Sequence, residues 1–372
     1  MHILTFEKRP TFHAGGQERS LHEVLKGMSD NGVTVSLFYE QEGELLESYN
    51  KFCQITSQIS SRAVYWHNLI QVVYDFLKAF LLIKKANPDI LYVNQYADTP
   101  FPALLSKVTG IPLVCHLRLP SPHYLSKQYT WGLKQADRLI AISEQTKQTY
   151  VDKNINPDKI DVVYNSVDES TFDIKNNGNY GNKNGARKIG YFGRLCPPKG
   201  VEKLIIGFQI ASRKKDDIEL HLYGKVDCAT VDDRYLDKLK NFSGNLLDKK
   251  VFFHGHVSDP ECHIIKNDLI ALPSTWQEPF GRIILEAMLL EIPVIASRIG
   301  GIPEILSPQF DNFLFESGNP EAIANMILEH VDWRQKTPSL GKEMKRYAKH
   351  NFSREQQIEQ LKKIFEEVSR EA

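Results

Sequence analysis

The chain has 372 residues, enough for two domains of ordinary size and too many for a mini-protein that needs staples. Lysine plus arginine and aspartate plus glutamate each number 46, so the formal charge is zero. Nothing in that balance calls for a nucleic-acid partner, which ordinarily brings an excess of cations. Hydrophobic residues make up 42% and charged residues 25%, which excludes disorder as the main state. Cys53, Cys115, Cys196, Cys228 and Cys262 are odd in number, far apart and never spaced C-x-x-C. They read as small apolar filler in a reducing compartment rather than a disulfide framework or a thiolate zinc site. The chain opens on an apolar strand followed by charges, unlike a secretory leader, so the expected location is cytoplasmic.

Residues 2–6 predict a strand. A loop with Gly15-Gly16 follows, then a helix from about Glu18 with Leu21, Val24, Leu25 and Met28 on one face. Gly32 ends it, and residues 33–39 predict the next strand. Residues 69–83 are the longest apolar region, too short and too interrupted by Gln71, Asp75 and Lys78 to span a bilayer. The wider stretch 61–87 mixes Trp66, Tyr74, Phe76 and Phe80 with Lys78, Lys84 and Lys85. Two readings stand for it: a helix facing the core of the first domain, or an interfacial helix in peripheral contact with the inner face of a membrane. Strands are then expected at 89–95, 112–118, 137–143 and 158–165. Near-continuously apolar strands alternating with helices imply a parallel sheet covered on both faces.

Residues 173–188, rich in Asn and Gly, read as a linker. The pattern restarts with a strand at 188–195, a helix at 201–212 and strands at 218–224, 250–257, 268–274 and 293–298. Ile358, Leu361, Phe365 and Val368 then mark a final amphipathic helix. The fold class is α/β: two doubly wound, Rossmann-like domains, 1–170 and 171–352, expected to face each other across a cleft, with 353–372 as a terminal helix. In such sheets ligands bind beyond the carboxyl ends of the strands.

Four clusters fall at strand ends. Gly15-Gly16 can bring backbone close to a phosphate or can simply turn the chain, and it departs from G-x-G-x-x-G. Gly193-Arg194 ends a strand and Lys199-Gly200 opens a helix, where cations are disfavoured without an anion to meet them. In Glu278-Pro279-Phe280-Gly281-Arg282-Ile283-Ile284-Leu285-Glu286 a loop feeds a helix whose first amides form an anion site. Glu278 and Glu286 can accept hydroxyls on either side of a diphosphate, or serve as a dipole partner and a surface residue. His116, with Arg118 nearby, lies near a strand end facing the expected cleft, as a structural or a catalytic histidine.

Together these residues resemble retaining glycosyltransferase family 4, of GT-B architecture. The resemblance rests on Gly15-Gly16-x-Glu18, His116, Gly193-Arg194-Leu195-x-x-x-Lys199-Gly200, Glu278-Pro-Phe-Gly with Glu286, and Gly300-Gly-Ile-Pro-Glu304. It spans essentially the whole chain. It implies that Gly15 and Gly16 approach the donor diphosphate or the acceptor, and that Arg194 and Lys199 neutralise the leaving diphosphate. Glu278 would hold donor-sugar hydroxyls, with the backbone of Phe280, Gly281, Arg282, Ile283 and Ile284 around sugar and phosphates. Glu286 would bind the ribose, His116 would lie near the reacting carbon, and backbone near Gly193 and Val257 would meet the nucleotide. The terminal helix would cross back onto the first domain.

The resemblance further implies a hexosyl transfer from a nucleotide sugar, UDP-glucose by preference, to a sugar or lipid-linked saccharide in polysaccharide synthesis. No cofactor and no metal is implied, and the chain has no D-x-D. A leaving-phosphate oxygen would take the acceptor proton. The chain departs from the family at Arg118, where Asp often follows the His, and at Arg282, where an apolar residue is common. Arg118 is the candidate contact for a phosphate or an acidic acceptor. The alternatives are a nucleotide-sugar 2-epimerase on the same scaffold and a non-catalytic nucleotide-sugar or polysaccharide-binding protein.

Overall fold

The computed structural model describes residues 1–11, 16–59, 69–172, 185–226 and 234–371. Gly15, Cys228, residues 61–68 of the candidate interfacial stretch and most of the proposed linker lie outside that set. The chain divides into two compact units, Met1–Asn165 with Arg354–Ala372, and Ser166–Ser353.

In the first unit the strands are β1 (His2–Glu7), β2 (Thr34–Tyr39), β3 (Cys53–Gln58), β4 (Ile90–Val93), β5 (Leu113–Leu117), β6 (Arg138–Ala141) and β7 (Ile160–Val162). They form one parallel sheet in the order β3-β2-β1-β4-β5-β6-β7. β1, β4 and β5 are buried along their whole length, as strands covered on both faces must be. On one face Phe6, Val93, Cys115 and Leu117 join Phe101 of the Pro100–Thr109 helix and Ala79 and Ile83 of the Leu69–Ala86 helix. On the other, Ile3, Tyr92 and Val114 meet Leu21, Val24 and Leu25 of the Gly16–Asp30 helix.

The terminal helix, Arg354–Glu371, completes that second face with Ile358, Leu361, Phe365 and Val368, the stripe expected from its periodicity. Phe365 meets Tyr92 edge to face at 5.3 Å. Burying about four such side chains contributes roughly 6–12 kcal/mol before the entropy of ordering the helix is subtracted.

The second unit carries β8 (Arg187–Phe192), β9 (Ile218–Tyr223), β10 (Val251–Gly255), β11 (Leu269–Leu272), β12 (Val294–Ser297) and β13 (Leu314–Phe315). They form a second parallel sheet, β10-β9-β8-β11-β12-β13. Both sheets therefore reverse direction beside their first strand, between β1 and β4 and between β8 and β11. These are the switch points where open α/β sheets leave a crevice for ligands.

Two strands went unforeseen, the edge strands β3 and β13. β3 reads CQITSQ and is half exposed, so it has no apolar run to reveal it. β13 is two residues long. Among the described residues no helix is long and apolar enough to cross a membrane.

Candidate active site

Beyond β8, Gly193 donates its amide to Tyr223 at 3.0 Å, and the buried Tyr191 hydroxyl donates to the Arg194 carbonyl at 2.7 Å. Arg194 is thereby fixed by its backbone while its side chain is exposed. Its guanidinium makes no hydrogen bond or ion pair among the described residues. The chain then makes a short 3-10 turn, Pro197–Lys199, and Gly200 follows with φ +70°. A Cβ on Gly200 would collide with the carbonyl oxygen of Pro273, so only glycine lets the segment after β8 press against the one after β11. Thr275 donates its amide to Pro198 at 2.9 Å across that approach.

The approach brings Lys199 to Glu278. Lys199 Nζ lies 2.6 Å from Glu278 Oε2, with the two side chains 15% and 11% exposed. The same oxygen accepts from Ser274 Oγ at 2.9 Å and from Trp276 Nε1 at 3.1 Å. Lys199 Nζ also lies 5.8 Å over the Trp276 ring. Three donors on one oxygen hold the carboxylate in a single orientation, and charge-assisted bonds are the strong ones. Behind it, Gly300 adopts φ +62°, and a Cβ there would collide with the backbone of Glu278. Gly301 donates its amide to the Glu278 carbonyl at 2.8 Å. The Gly300-Gly301 pair thus fixes the loop that aims Glu278.

Gly281, at φ +98°, caps the Arg282–Leu289 helix with no side-chain cap. The first turn points its amides toward the loop, where helix starts favour anions, and Ile284 donates its amide back to Gly281 at 2.9 Å. Phe280 and Ile284 are buried, which anchors the turn, and Phe280 meets Phe352 edge to face at 5.9 Å. Arg282 and Ile283 are half-buried. Arg282 Nε lies 3.7 Å from Glu286 Oε1, one turn on, so the residue that departs from the family holds the second glutamate. Val257 lies beyond β10 and is half-buried. At this end of the sheet a cavity of ≈ 510 Å³ is bounded by Leu195, Gly224, Lys225, Val226, Phe253 and Gly255.

In the first unit, Gly16 heads the Gly16–Asp30 helix and is exposed. Asn94 ties that helix start to the end of β4 by donating to the Gln17 carbonyl at 3.0 Å. His116 stands on β5 with no exposed surface, not on an open face as expected from its place near the strand end. The cause is the strand's alternation, which turns His116 to the same side as Val114, under the cover described above. The Tyr92 hydroxyl and His116 Nδ1 are 2.7 Å apart. Burial, and then the Arg118 guanidinium, hold His116 well below its usual range and so keep it neutral. Burial pushes the Tyr92 phenol up to about 12. Both groups are therefore neutral, and His116 Nε2 is buried without a hydrogen-bond partner among the described residues.

Arg118 is itself buried. Its Nε donates to Asn94 Oδ1 at 2.9 Å and its Nη1 to Asn165 Oδ1 at 2.6 Å. Ser274, Trp276, Gly300, Tyr92, Asn94 and Asn165 are the supporting residues that sequence reasoning gave no role. They act through three-dimensional proximity, and only Gly300 carried a signal, as the first residue of Gly300-Gly-Ile-Pro-Glu304.

The chain resembles known proteins over both units. It is 26% identical over 320 residues to the capsular polysaccharide biosynthesis glycosyltransferase CapM of Staphylococcus aureus, covering 80% of this chain and 81% of that one. It is 28% identical over 244 residues to an uncharacterized glycosyltransferase of Methanocaldococcus jannaschii, covering 65% of this chain and 62% of that protein, under two thirds of its length. The crystal structure of Anabaena HepE in complex with UDP superposes with a TM-score of 0.82 at 22% identity, covering 99% of this chain and 100% of that one. Residues 14–171 match Glycosyltransferase Family 4 and residues 173–368 match Glycosyl transferases group 1. With two parallel Rossmann-like sheets of the GT-B kind, the chain belongs to the group 1 glycosyltransferases and carries a family 4 N-terminal domain.

Proposed function

We propose that the protein is a retaining hexosyltransferase that moves a hexosyl group from a nucleotide sugar to a sugar or glycoconjugate acceptor, without a metal. The observation that carries this reading is the Lys199–Glu278 pair just ahead of the Arg282–Leu289 helix, whose start has no side-chain cap. Glycosyl transfer needs charge stabilised on a departing diphosphate while the sugar turns oxocarbenium-like, and preorganised cations and helix amides supply that.

In this reading Lys199 and the exposed Arg194 neutralise the leaving diphosphate, and the backbone from Phe280 to Ile284 surrounds the sugar and phosphates. Three donors occupy Glu278 Oε2, which leaves Oε1 to accept a donor-sugar hydroxyl. Glu286, steadied by Arg282, takes the ribose hydroxyls. His116, kept neutral by burial, offers Nε2 to a donor-sugar hydroxyl. A leaving-phosphate oxygen removes the acceptor proton on the same face, so the anomeric configuration is retained.

A UDP-linked donor, UDP-glucose first, is supported by the Anabaena protein, which has been solved with UDP and with UDP-glucose. A saccharide acceptor in polysaccharide biosynthesis is supported by the likeness to CapM. The test is to incubate the protein with UDP-, GDP- and ADP-sugars and simple acceptors. Release of nucleoside diphosphate should accompany product formation, and NMR of the product reads its anomeric configuration. Release of UDP with an inverted product would overturn retention alone.

A further inference from the structure

The helix Leu69–Ala86 is apolar on two sides and buries only one. Val72, Asp75, Ala79 and Ile83 face the core. At 100° per residue, Ile70, Val73, Tyr74, Leu77 and Leu81 fall on a stripe on the opposite side. Their exposures are 90%, 58%, 61%, 56% and 67%. The adjoining Pro100–Thr109 helix adds Leu104 and Val108. Among the described residues only Tyr124 and Phe242 stand comparably exposed elsewhere, so these side chains form a patch and not a scatter. Patches of this kind mark interaction sites on otherwise soluble folds.

The exposed charges of these two helices are of one sign. The one carboxylate of the Leu69–Ala86 helix, Asp75, is buried on the core side and receives Gln71 Nε2 at 3.0 Å. The last turn carries Lys84 and Lys85. The neighbouring helix contributes Lys107, whose Nζ lies 5.3 Å over the Trp131 ring. Neither helix presents an exposed carboxylate. Two copies meeting on this patch would bring lysines together with no acid to receive them.

We propose that this face docks on the surface of an anionic phospholipid bilayer. The apolar stripe enters the boundary between headgroups and acyl chains, Tyr74 sits at headgroup level, and the lysines meet lipid phosphates. The helix lies in the surface and does not cross it. The inference does not depend on which sugar is moved. It would hold the first unit where a lipid-linked acceptor is found.

The experiment is co-sedimentation of the full chain with vesicles of phosphatidylcholine alone and with added phosphatidylglycerol, at low and high salt. Wild type should sediment with the anionic vesicles, less with neutral ones, and less at high salt. Leu77→Glu with Leu81→Glu should weaken binding roughly a hundredfold or more. Lys84→Glu with Lys85→Glu, which leaves the apolar stripe intact, should weaken it by roughly thirtyfold or more. Circular dichroism checks that the variants fold, and release of UDP from UDP-glucose checks that the active site is intact. Absence of vesicle binding, or binding that both variants leave unchanged, overturns the proposal. So does a wild-type dimer that Leu77→Glu dissolves in a chain that binds no vesicle, which would make the patch an interface between copies.

Discussion

The carboxyl ends of the two sheets share a strand order and differ in how they hold polar groups. In the second unit a lysine and a glutamate form an ion pair that is partly open to solvent, beside an exposed arginine and the start of a helix. In the first, a histidine and an arginine are fully enclosed and are held by a phenol and two side-chain amides, all neutral. One topology thus supports two kinds of site. The second is suited to receiving charge as it develops. The first holds a neutral imidazole in a fixed orientation.

Lys199→Ala is the harshest test of that contrast. It leaves Glu278 with Ser274 and Trp276 and should lower kcat by roughly 10²–10³-fold. The fold should survive, because the lysine is partly exposed, and circular dichroism checks this. An unchanged rate in steady-state kinetics would end the charge-handling role. Gly300→Ala should be felt next, through the backbone: φ +62° and the collision with Glu278 predict a loss of about 2–4 kcal/mol in urea unfolding.

Tyr92→Phe probes the first sheet. Losing the hydroxyl that bonds His116 Nδ1 should cost about five- to tenfold in rate. The imidazole proton should also redistribute between the two nitrogens, which ¹⁵N NMR of the histidine reads directly. An unchanged tautomer would show that Tyr92 does not set it.

The smallest effect concerns pH. Burial is the largest cause holding His2, His116, His221 and His330 below the ordinary histidine value of 6.5. Below that value the unfolded chain takes up protons that the folded chain refuses. Their contribution is fully present above about pH 6.5 and is lost as pH falls toward the folded values. The urea midpoint should therefore drop between about pH 7.5 and about pH 5.5. His116→Gln should flatten that drop by the share of one proton.

Most of the fold was legible in the sequence because most strands are buried on both faces and leave continuous apolar runs. Eleven strands were foreseen, the edge strands β7 and β10 among them, and the polar β3 and the two-residue β13 were not. The site was legible as residue types at spacings: Lys199, Glu278 and Glu286 sit where a strand end and a helix start dictate. Their partners were not. Ser274 and Trp276 reach Glu278 through a loop whose course depends on Gly200 and Gly300 avoiding collisions with distant backbone. The enclosure of His116 depends on a helix more than two hundred residues away in sequence. The 69–83 pattern identified a helix with a core-facing side, but periodicity alone could not show that an equally apolar face stays exposed.

The most direct measurement of the central claim is nucleoside diphosphate release from a panel of UDP-, GDP- and ADP-sugars with saccharide acceptors, comparing wild type with Lys199→Ala. The account predicts acceptor-dependent release from a UDP-sugar by wild type and near-complete loss in the variant. Equal release by both proteins, or no release by wild type from any donor, would contradict it.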